Sequence, residues 1–190
     1  MISDSVPWKE ELLKVASRLE KKKVQTRWAE RSSFLVERDV MVGAYAVRRL
    51  NEAHKISDKL AARRLKVKSH ALIGGAPDVL NRFEFWEHYD LEKSEEVELS
   101  VREFCNQVIH SWNWHISATD ESPWLFNGIF ISSDRKRRSC LYFIDVDMLV
   151  ELFRSVGNED IVSADMRRNS DGEMIYINLV GAPWGELGGM

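Results

Sequence analysis

The chain has 190 residues, of which 44% are hydrophobic and 30% are charged. This length suits one domain, or one domain with a small appendage, and the composition excludes an intrinsically disordered chain. No stretch of about 18 apolar residues occurs, so no membrane-spanning helix is predicted. The segment from Met1 to Pro7 lacks the features of a signal peptide, and Cys105 and Cys140 form neither a CxxC pair nor a metal-ligand spacing. We therefore expect a globular protein of the reducing cytoplasm.

Charge is distributed unevenly along the chain, although the net charge is only −3. Residues 1–70 contain 17 Lys and Arg against 9 Asp and Glu, whereas residues 71–123 contain 3 against 11. The basic part could face a polyanion while the acidic part faces away from it. Alternatively, the two parts neutralise each other within the fold or across a dimer, which is the usual arrangement in a protein near neutrality.

Two helices are predicted at the start of the chain. The first spans about 7–23, with a proline in its first turn and three lysines at its end. The second spans about 26–53, and its middle is apolar on nearly every side, which is typical of the central helix of a bundle. Glu37, Arg38 and Asp39 interrupt this apolar segment. Because consecutive helical residues point about 100° apart, at least one of them should be buried and paired, or face a cavity.

The middle of the chain has one ambiguous segment and one clear helix. Residues 55–95 fit helix, strand and turn patterns in succession, and no single assignment is favoured. Ser100 and Glu103 then form a capping box at the start of a helix, and an apolar stripe continues to Trp112. We expect this helix to run to about His115.

Beyond Pro123 the pattern changes to that of β-structure. Two hairpins with a helix between them are predicted, and Gly157 is expected to end that helix. The predicted elements are strands at 124–133 and 138–144, the helix at 146–156, and strands at 161–168 and 174–180.

These elements predict an α+β fold. An N-terminal helical bundle, residues 1–120, should be followed by a ββαββ antiparallel sheet unit, residues 121–183, packed on it. The two parts could also form one domain. The glycine-rich residues 184–190 are expected to form a flexible tail.

One polar stripe on the capped helix could carry chemistry. Arg102, Asn106 and His110 are spaced by four residues, and Asn113 follows three residues later. A solvated helix face would normally use Glu, Lys and Gln, whereas these residue types suit a bound phosphate: Arg as a forked donor, Asn as an orienting group and His as a proton carrier. An acid from the second helix, Glu37 or Asp39, could set the tautomer of the histidine.

The segment Cys105-Asn106-Gln107-Val108-Ile109-His110 resembles the late-helix motif of the HEPN superfamily, in which an Arg and a polar residue precede a His. HEPN proteins are small helical bundles, and many of them are metal-independent ribonucleases. In this chain Cys105 holds the usual Arg position, and Arg102 lies one turn earlier. The segment is also similar to a CNQxxHS-like helix of bacterial proteins without an assigned activity.

The resemblance covers about residues 8–116 and implies a specific assignment of roles. His110 would be the general acid or base, Arg102 would stabilise developing charge, and Glu37 or Asp39 would position one of them. It also implies an RNA substrate, no cofactor, no metal and a role in bacterial defence or stress. The alternative is that His110 and Asn106 are buried polar groups that tie two helices together. The protein would then be a non-enzymatic adaptor or assembly subunit that docks a protein partner or a second copy.

Further basic residues are candidates for contact with a nucleic-acid backbone, although each also suits an ordinary solvated surface. They are Lys59, Arg63, Arg64, Lys66, Arg135 and Arg137.

Two other patterns have both a functional and a structural interpretation. Asp145 and Asp147 could hold Mg²⁺, but an N-cap and a first-turn acid explain them better. The alternating segment 112–115 could stack a base, but two tryptophans more often pack in a core. No HExxH, GxGxxG, GxxxxGK[ST] or GxSxG motif occurs, so no zinc, nucleotide-loop or hydrolase site of these types is predicted.

Overall fold

A computed structural model describes residues 4–120 and 124–184 of the chain. The helices in these residues are α1 (Val6–Lys23), α2 (Glu30–Glu52), α3 (Asp58–Ala61), α4 (Val101–Ile109) and α5 (Val146–Asn158). The strands are β1 (Arg64–Ala71), β2 (Glu95–Ser100), β3 (Ser111–Ala118), β4 (Phe126–Ser133), β5 (Cys140–Asp145), β6 (Glu159–Arg168) and β7 (Met174–Pro183). Helices precede an antiparallel sheet, which confirms the predicted α+β class.

Five strands form one antiparallel sheet in the order β2-β1-β5-β4-β3. Because β1, β2 and β3 belong to residues 1–120, this part of the chain is not the purely helical bundle that the sequence predicts. The predicted boundary at residue 120 falls between β3 and β4, which pair directly, with Ile116 opposite Ile129. β6 and β7 form a separate two-stranded sheet, so the ββαββ segment does not build one sheet of its own. Of the predicted tail, only Trp184 is described, and 185–190 lie outside the described residues.

The core lies between the helices and one face of the five-stranded sheet. Burial alternates along β1, where Leu65 and Val67 are buried and Lys66 and Lys68 are exposed. Phe153 of α5 is fully buried in the helical layer. Burial of such side chains is the main source of stability. No helix among the described residues has the length and apolar character needed to span a membrane.

The basic and acidic parts of the chain neutralise each other where β1 pairs with β2. The Lys66 Nζ lies 2.9 Å from a carboxylate oxygen of Glu96, and Arg64 lies 3.8 Å from both Glu98 and Glu103. This arrangement confirms mutual neutralisation for this pair of strands. Exposed ion pairs of this kind contribute little stability, so they matter mainly because they occupy charges that could otherwise meet a ligand.

The charged triplet of α2 contains the buried, paired group that the sequence predicts. Asp39 is 4% exposed. Its carboxylate accepts hydrogen bonds from Arg18 at 2.8 and 3.1 Å and from Arg38 at 2.7 Å. The contact with Asp39 raises the pKa of the Arg18 guanidinium. Asp39 therefore joins α1 to α2.

α4 is shorter than predicted, because it ends at Ile109 and not near His115. The chain then continues as β3, in which Trp112 and Trp114 alternate with other residues at the spacing of a strand. Trp112 also lies eleven residues after Val101, a spacing that continues the apolar stripe of the helix. This coincidence explains why the sequence predicts a longer α4 than the structure has.

α5 extends past Gly157, which was expected to end it. A Cβ atom at Gly157 would lie 2.7 Å from Leu13 Cδ2 and 3.0 Å from the Lys9 carbonyl oxygen. This glycine therefore permits the close approach of α1 to α5 rather than terminating the helix.

Candidate functional site

The capping box fixes the start of α4, as the sequence predicts. The Ser100 hydroxyl accepts from the Glu103 backbone N–H at 3.2 Å, and the Glu103 carboxylate accepts from the Ser100 backbone N–H at 2.8 Å. The Ser100 hydroxyl also donates to the Glu103 carboxylate at 2.7 Å, and this hydrogen bond, together with the one from the Ser100 backbone N–H, lowers the pKa of Glu103. The first turn of α4 is thereby anchored directly to the end of β2.

A groove of about 960 Å³ lies between α4, the sheet and the turn that joins β4 to β5. Asn106, Gln107 and His110 of α4 and its C-cap line one wall of the groove. Cys140 and Tyr142 of β5 line the sheet side. Burial raises the pKa of the Tyr142 phenol, so this hydroxyl stays protonated near neutral pH.

Two carboxamides present hydrogen-bond donors to this groove. The Asn106 Oδ1 accepts from the Arg48 guanidinium at 2.8 Å, and the Gln107 Oε1 accepts from the Ser133 backbone N–H at 3.2 Å. Because both partners can only donate, the orientation of each amide is determined. Neither amide nitrogen has an acceptor among the described residues. Both NH₂ groups are therefore available to an acceptor on a ligand.

His110 lies at the mouth of the groove with its side chain exposed to solvent. Its backbone N–H donates to the Asn106 carbonyl at 3.1 Å, and its carbonyl accepts from the Asp134 N–H at 3.3 Å. Its imidazole makes no hydrogen bond within residues 4–120 and 124–184. The backbone is thus held in place while the ring is free to contact a ligand, which rules out His110 as a buried helix–helix tie.

The unpaired charges at the groove mouth are positive. Arg135 and Lys136 line the groove, and neither forms a salt bridge in the part of the chain that the structure describes. The three acids of the groove have cationic partners: Asp134 binds Arg137 at 2.9 Å, and Glu98 and Glu103 each lie 3.8 Å from Arg64. Arg135 and Lys136 are therefore the groove cations that an anionic ligand could contact.

The structure brings together only part of the predicted polar stripe. Asn106 and His110 share the groove, whereas Arg102 is exposed and lines a separate pocket of about 210 Å³. Residues 102 and 110 are eight positions apart, which corresponds to about 80° of rotation around a helix. Their side chains therefore point in different directions. Arg48 of α2 is the arginine that contacts Asn106. Asn106 itself ties α2 to α4, as the structural alternative predicts.

The acids predicted to assist His110 lie elsewhere. Asp39 is bound to Arg18 and Arg38, and neither Glu37 nor Asp39 lines the groove. Asn113, predicted to follow on the same helix, lies in β3, where its Nδ2 donates to the Tyr89 hydroxyl at 3.1 Å.

The alternating aromatic segment of β3 contacts protein groups. The Arg137 guanidinium lies 4.4 Å from the Trp112 ring centroid, and His115 stacks on Phe85 at 4.1 Å. Burial lowers the pKa of His115. These rings are engaged within the fold, which favours the structural interpretation of the segment.

Most of the predicted nucleic-acid contacts are occupied by acids. Arg63 binds Glu151 at 2.6 Å, and Arg64, Lys66 and Arg137 form the salt bridges given above. Lys59 and Arg135 have no salt bridge among the described residues, but only Arg135 lines the groove. Lys136, the next residue of the same basic turn, also lines the groove.

Asp145 ends β5 and is the N-cap of α5, and Asp147 lies in the first turn of that helix. Asp145 accepts from the Asp147 backbone N–H at 2.6 Å, and Asp147 forms a salt bridge with Lys23. These contacts agree with the N-cap interpretation. Within the described residues, no group of three or more His, Cys, Asp and Glu side chains is placed to hold a metal ion.

The two thiols are predicted to differ in reactivity. Cys105 is buried, and burial raises its pKa to about 12, whereas Cys140 is partly exposed on the groove. A disulfide reagent should label one thiol in the folded protein near pH 8 and both in denaturant, because the thiolate is the reacting species. Mass mapping should place the label on Cys140. Labelling of Cys105 at an equal rate would contradict this prediction.

The fold and site define an α+β protein with a donor-lined groove between a short capped helix and a five-stranded sheet. Comparisons of the chain with protein-family models, with curated proteins and with solved structures found no match. The HEPN resemblance therefore stays a prediction that depends on the CNQVIH segment. The helical bundle that it implies for residues 8–116 differs from the structure, in which this region contributes three strands.

Proposed function

We propose that the protein binds RNA in the groove and that His110 moves a proton in metal-independent cleavage of the bound strand. The observation that supports this proposal is the exposed imidazole beside two amide donors and two unpaired cations. The proposed setting, bacterial defence or stress, comes from the HEPN resemblance alone.

The amide donors favour a ligand that is rich in acceptors. A phosphodiester offers only acceptor oxygens, and the Asn106 and Gln107 amides can donate to it. Arg135 and Lys136 would neutralise its charge at the groove mouth. A ligand that mainly donates hydrogen bonds would leave these four groups unsatisfied.

His110 would act as the base in the chemical step. It would accept the proton of a ribose 2′-hydroxyl while that oxygen forms a bond to phosphorus. The bond from phosphorus to the 5′-oxygen would break, and the leaving oxygen would take a proton from water. A 2′,3′-cyclic phosphate and a 5′-hydroxyl would result. Proton transfer by a positioned side chain typically accelerates a reaction by about 10²–10⁴-fold.

Binding is tested by fluorescence anisotropy with a labelled single-stranded RNA of mixed sequence. The double variant Arg135→Ala/Lys136→Ala should weaken binding about tenfold and reduce the salt slope by about 1.4, because two phosphate contacts are lost. The matched control is Lys14→Ala/Arg31→Ala, which removes two exposed cations outside the groove. Equal affinity of both double variants for RNA would refute the proposed site.

Cleavage is tested in EDTA, which removes metal-dependent contaminants, by comparison of the wild type with His110→Ala. The variant should bind RNA normally and lose cleavage, with unchanged thermal stability, because the ring makes no contact that stabilises the fold. Binding without cleavage in the wild type would restrict the function to RNA binding.

A second candidate is a protein-docking adaptor, which is favoured by an exposed apolar loop between β1 and β2. Leu80 is 92% exposed, Phe83 is 63% exposed and Trp86 is 56% exposed. Exposed apolar groups that are contiguous often mark interaction sites. If the wild type binds no RNA, this loop becomes the leading candidate for the functional surface.

A further inference from the structure

The β6–β7 ribbon carries apolar side chains that the rest of the protein does not cover. It is fixed at its base, where the Glu159 carboxylate accepts from the Ser57 N–H at 2.8 Å and Leu179 is buried. Towards the tip, Met166 is 51% exposed and Met174 is 52% exposed. A two-stranded ribbon is at best marginally stable alone in water, so additional packing would stabilise it.

The outer edges of the ribbon differ in accessibility. The edge of β7 is partly occupied, because the Leu179 N–H donates to the Asp58 carboxylate of α3 at 2.9 Å. β6 pairs only with β7 in the described part of the chain, so its outer edge is free. The register shift at the base of β6 lies between Ile161 and Ser163. A second shift lies between Asp165 and Met166, where the extra residue, Ile177, belongs to β7. Residues 163–168 of β6 therefore contain no extra residue, and their outer edge can act as a template for pairing.

We propose that β6 pairs with β6 of a second copy of this chain, antiparallel and centred on Met166. A two-fold axis at this residue places Asp165 opposite Arg167 of the second copy, and the same pair forms again by symmetry. Two residues apart on one strand, these side chains share a face. Arg167 is exposed and forms no salt bridge among the described residues, while Asp165 accepts from Asn178 at 3.2 Å and remains exposed.

The same register joins the apolar side chains of the two copies. Met166 pairs with Tyr176, and Arg168 pairs with Met174, so the three apolar residues lie on one face of the ribbon. Tyr176 also contacts His54, with ring centroids 4.8 Å apart, and this contact holds the middle of the ribbon against the protein body. The dimer would contain the sheet β7-β6-β6-β7 with six of these apolar side chains on one continuous face.

The interface is short, so the association should depend on protein concentration. Stable dimers bury about 1,200–2,000 Å² in total, and a pairing of five residues per strand, 164–168, covers less than this. Sedimentation velocity over a concentration series should therefore show a monomer–dimer equilibrium. A monomer at every concentration would overturn the proposal.

Charge reversal tests the partner and the register together. Arg167→Asp and Asp165→Arg should each weaken dimerisation at least about tenfold, because like charges then face each other twice. The double variant exchanges the charges and should restore dimerisation. Arg31→Asp, a reversal of an exposed cation on α2, is the matched control and should leave the equilibrium unchanged. A double variant as weak as the single variants would contradict the proposed register.

Cross-linking gives an independent readout. Met166→Cys should form an intermolecular disulfide under mild oxidation, because directly opposed residues lie about 4.5–5.5 Å apart between Cα atoms. Ala164→Cys should not form one, because residue 164 of each copy would be about 13 Å from its symmetry mate. The wild type controls for Cys105 and Cys140. Equal cross-linking of the two variants would show that the pairing is nonspecific.

Discussion

Replacement of Gly43 by valine is expected to lower the free energy of unfolding by about 3 kcal/mol, because α2 and α5 touch at this position. A Cβ atom at Gly43 would lie 2.5 Å from Phe153 Cζ and 2.7 Å from Cε2. The ring of Phe153 is fully buried and therefore has little room to move. The helices would have to separate, and the packing of both against α1 would loosen with them.

A double-mutant cycle, measured by urea unfolding, checks the origin of this effect. Phe153→Ala alone should cost about 3–5 kcal/mol because it leaves a cavity. In Gly43→Val/Phe153→Ala the valine would partly fill that cavity, so the double variant should cost less than the sum of the single variants. Gly75→Ala is the control, because a Cβ at Gly75 has no neighbour within 4 Å. Strict additivity would show that the two residues do not compete for the same space.

Elements specified by local patterns could be predicted from the sequence. α1, α2 and α5 have apolar residues at helical spacing, and the hairpins β4–β5 and β6–β7 join neighbouring strands through short turns. In each case the information lies within a few residues. The capping box of α4 belongs to the same group, because Ser100 and Glu103 interact with each other.

The strands in residues 1–120 could not be predicted because their partners are distant in sequence. β2 contains Glu95, Glu96 and Glu98, which are depleted in strands and are typical of a solvated loop. These acids become favourable in a strand only opposite Lys66 and Lys68 of β1, about thirty positions earlier. Strand propensity depends on such cross-strand pairs more than on the residues themselves.

Only the part of the candidate site that depends on local spacing could be predicted from the sequence. Asn106 and His110 lie one helical turn apart, so the local spacing identifies them. The Gln107 contact with Ser133 and the Arg48 contact with Asn106 join distant segments, and no local pattern indicates them. The sequence predicts Arg135 as a nucleic-acid contact, but only the structure places it in the same groove as His110.

Replacement of Lys9 is expected to lower the free energy of unfolding more than replacement of any other lysine. Lys9 lies in the first turns of α1, and the sequence pattern of this helix does not indicate a buried lysine. Its side chain is 2% exposed. The ammonium donates to the Glu159 carbonyl at 2.6 Å and lies 3.4 Å from the Asp160 carboxylate. Lys9→Ala should cost about 3 kcal/mol, because the carbonyl loses its donor and the aliphatic stem leaves a cavity.

Two further variants separate these causes in the same unfolding experiment. Lys9→Met retains most of the volume but not the donor, so it should cost about 1–3 kcal/mol and less than Lys9→Ala. Lys14→Ala, on the exposed side of α1, should change stability by less than about 0.5 kcal/mol. Because Lys9 binds the first residues of β6, hydrogen exchange in the ribbon should also accelerate in Lys9→Met. If Lys9→Met is as stable as the wild type and exchanges at the same rate, the buried ammonium does not anchor the ribbon.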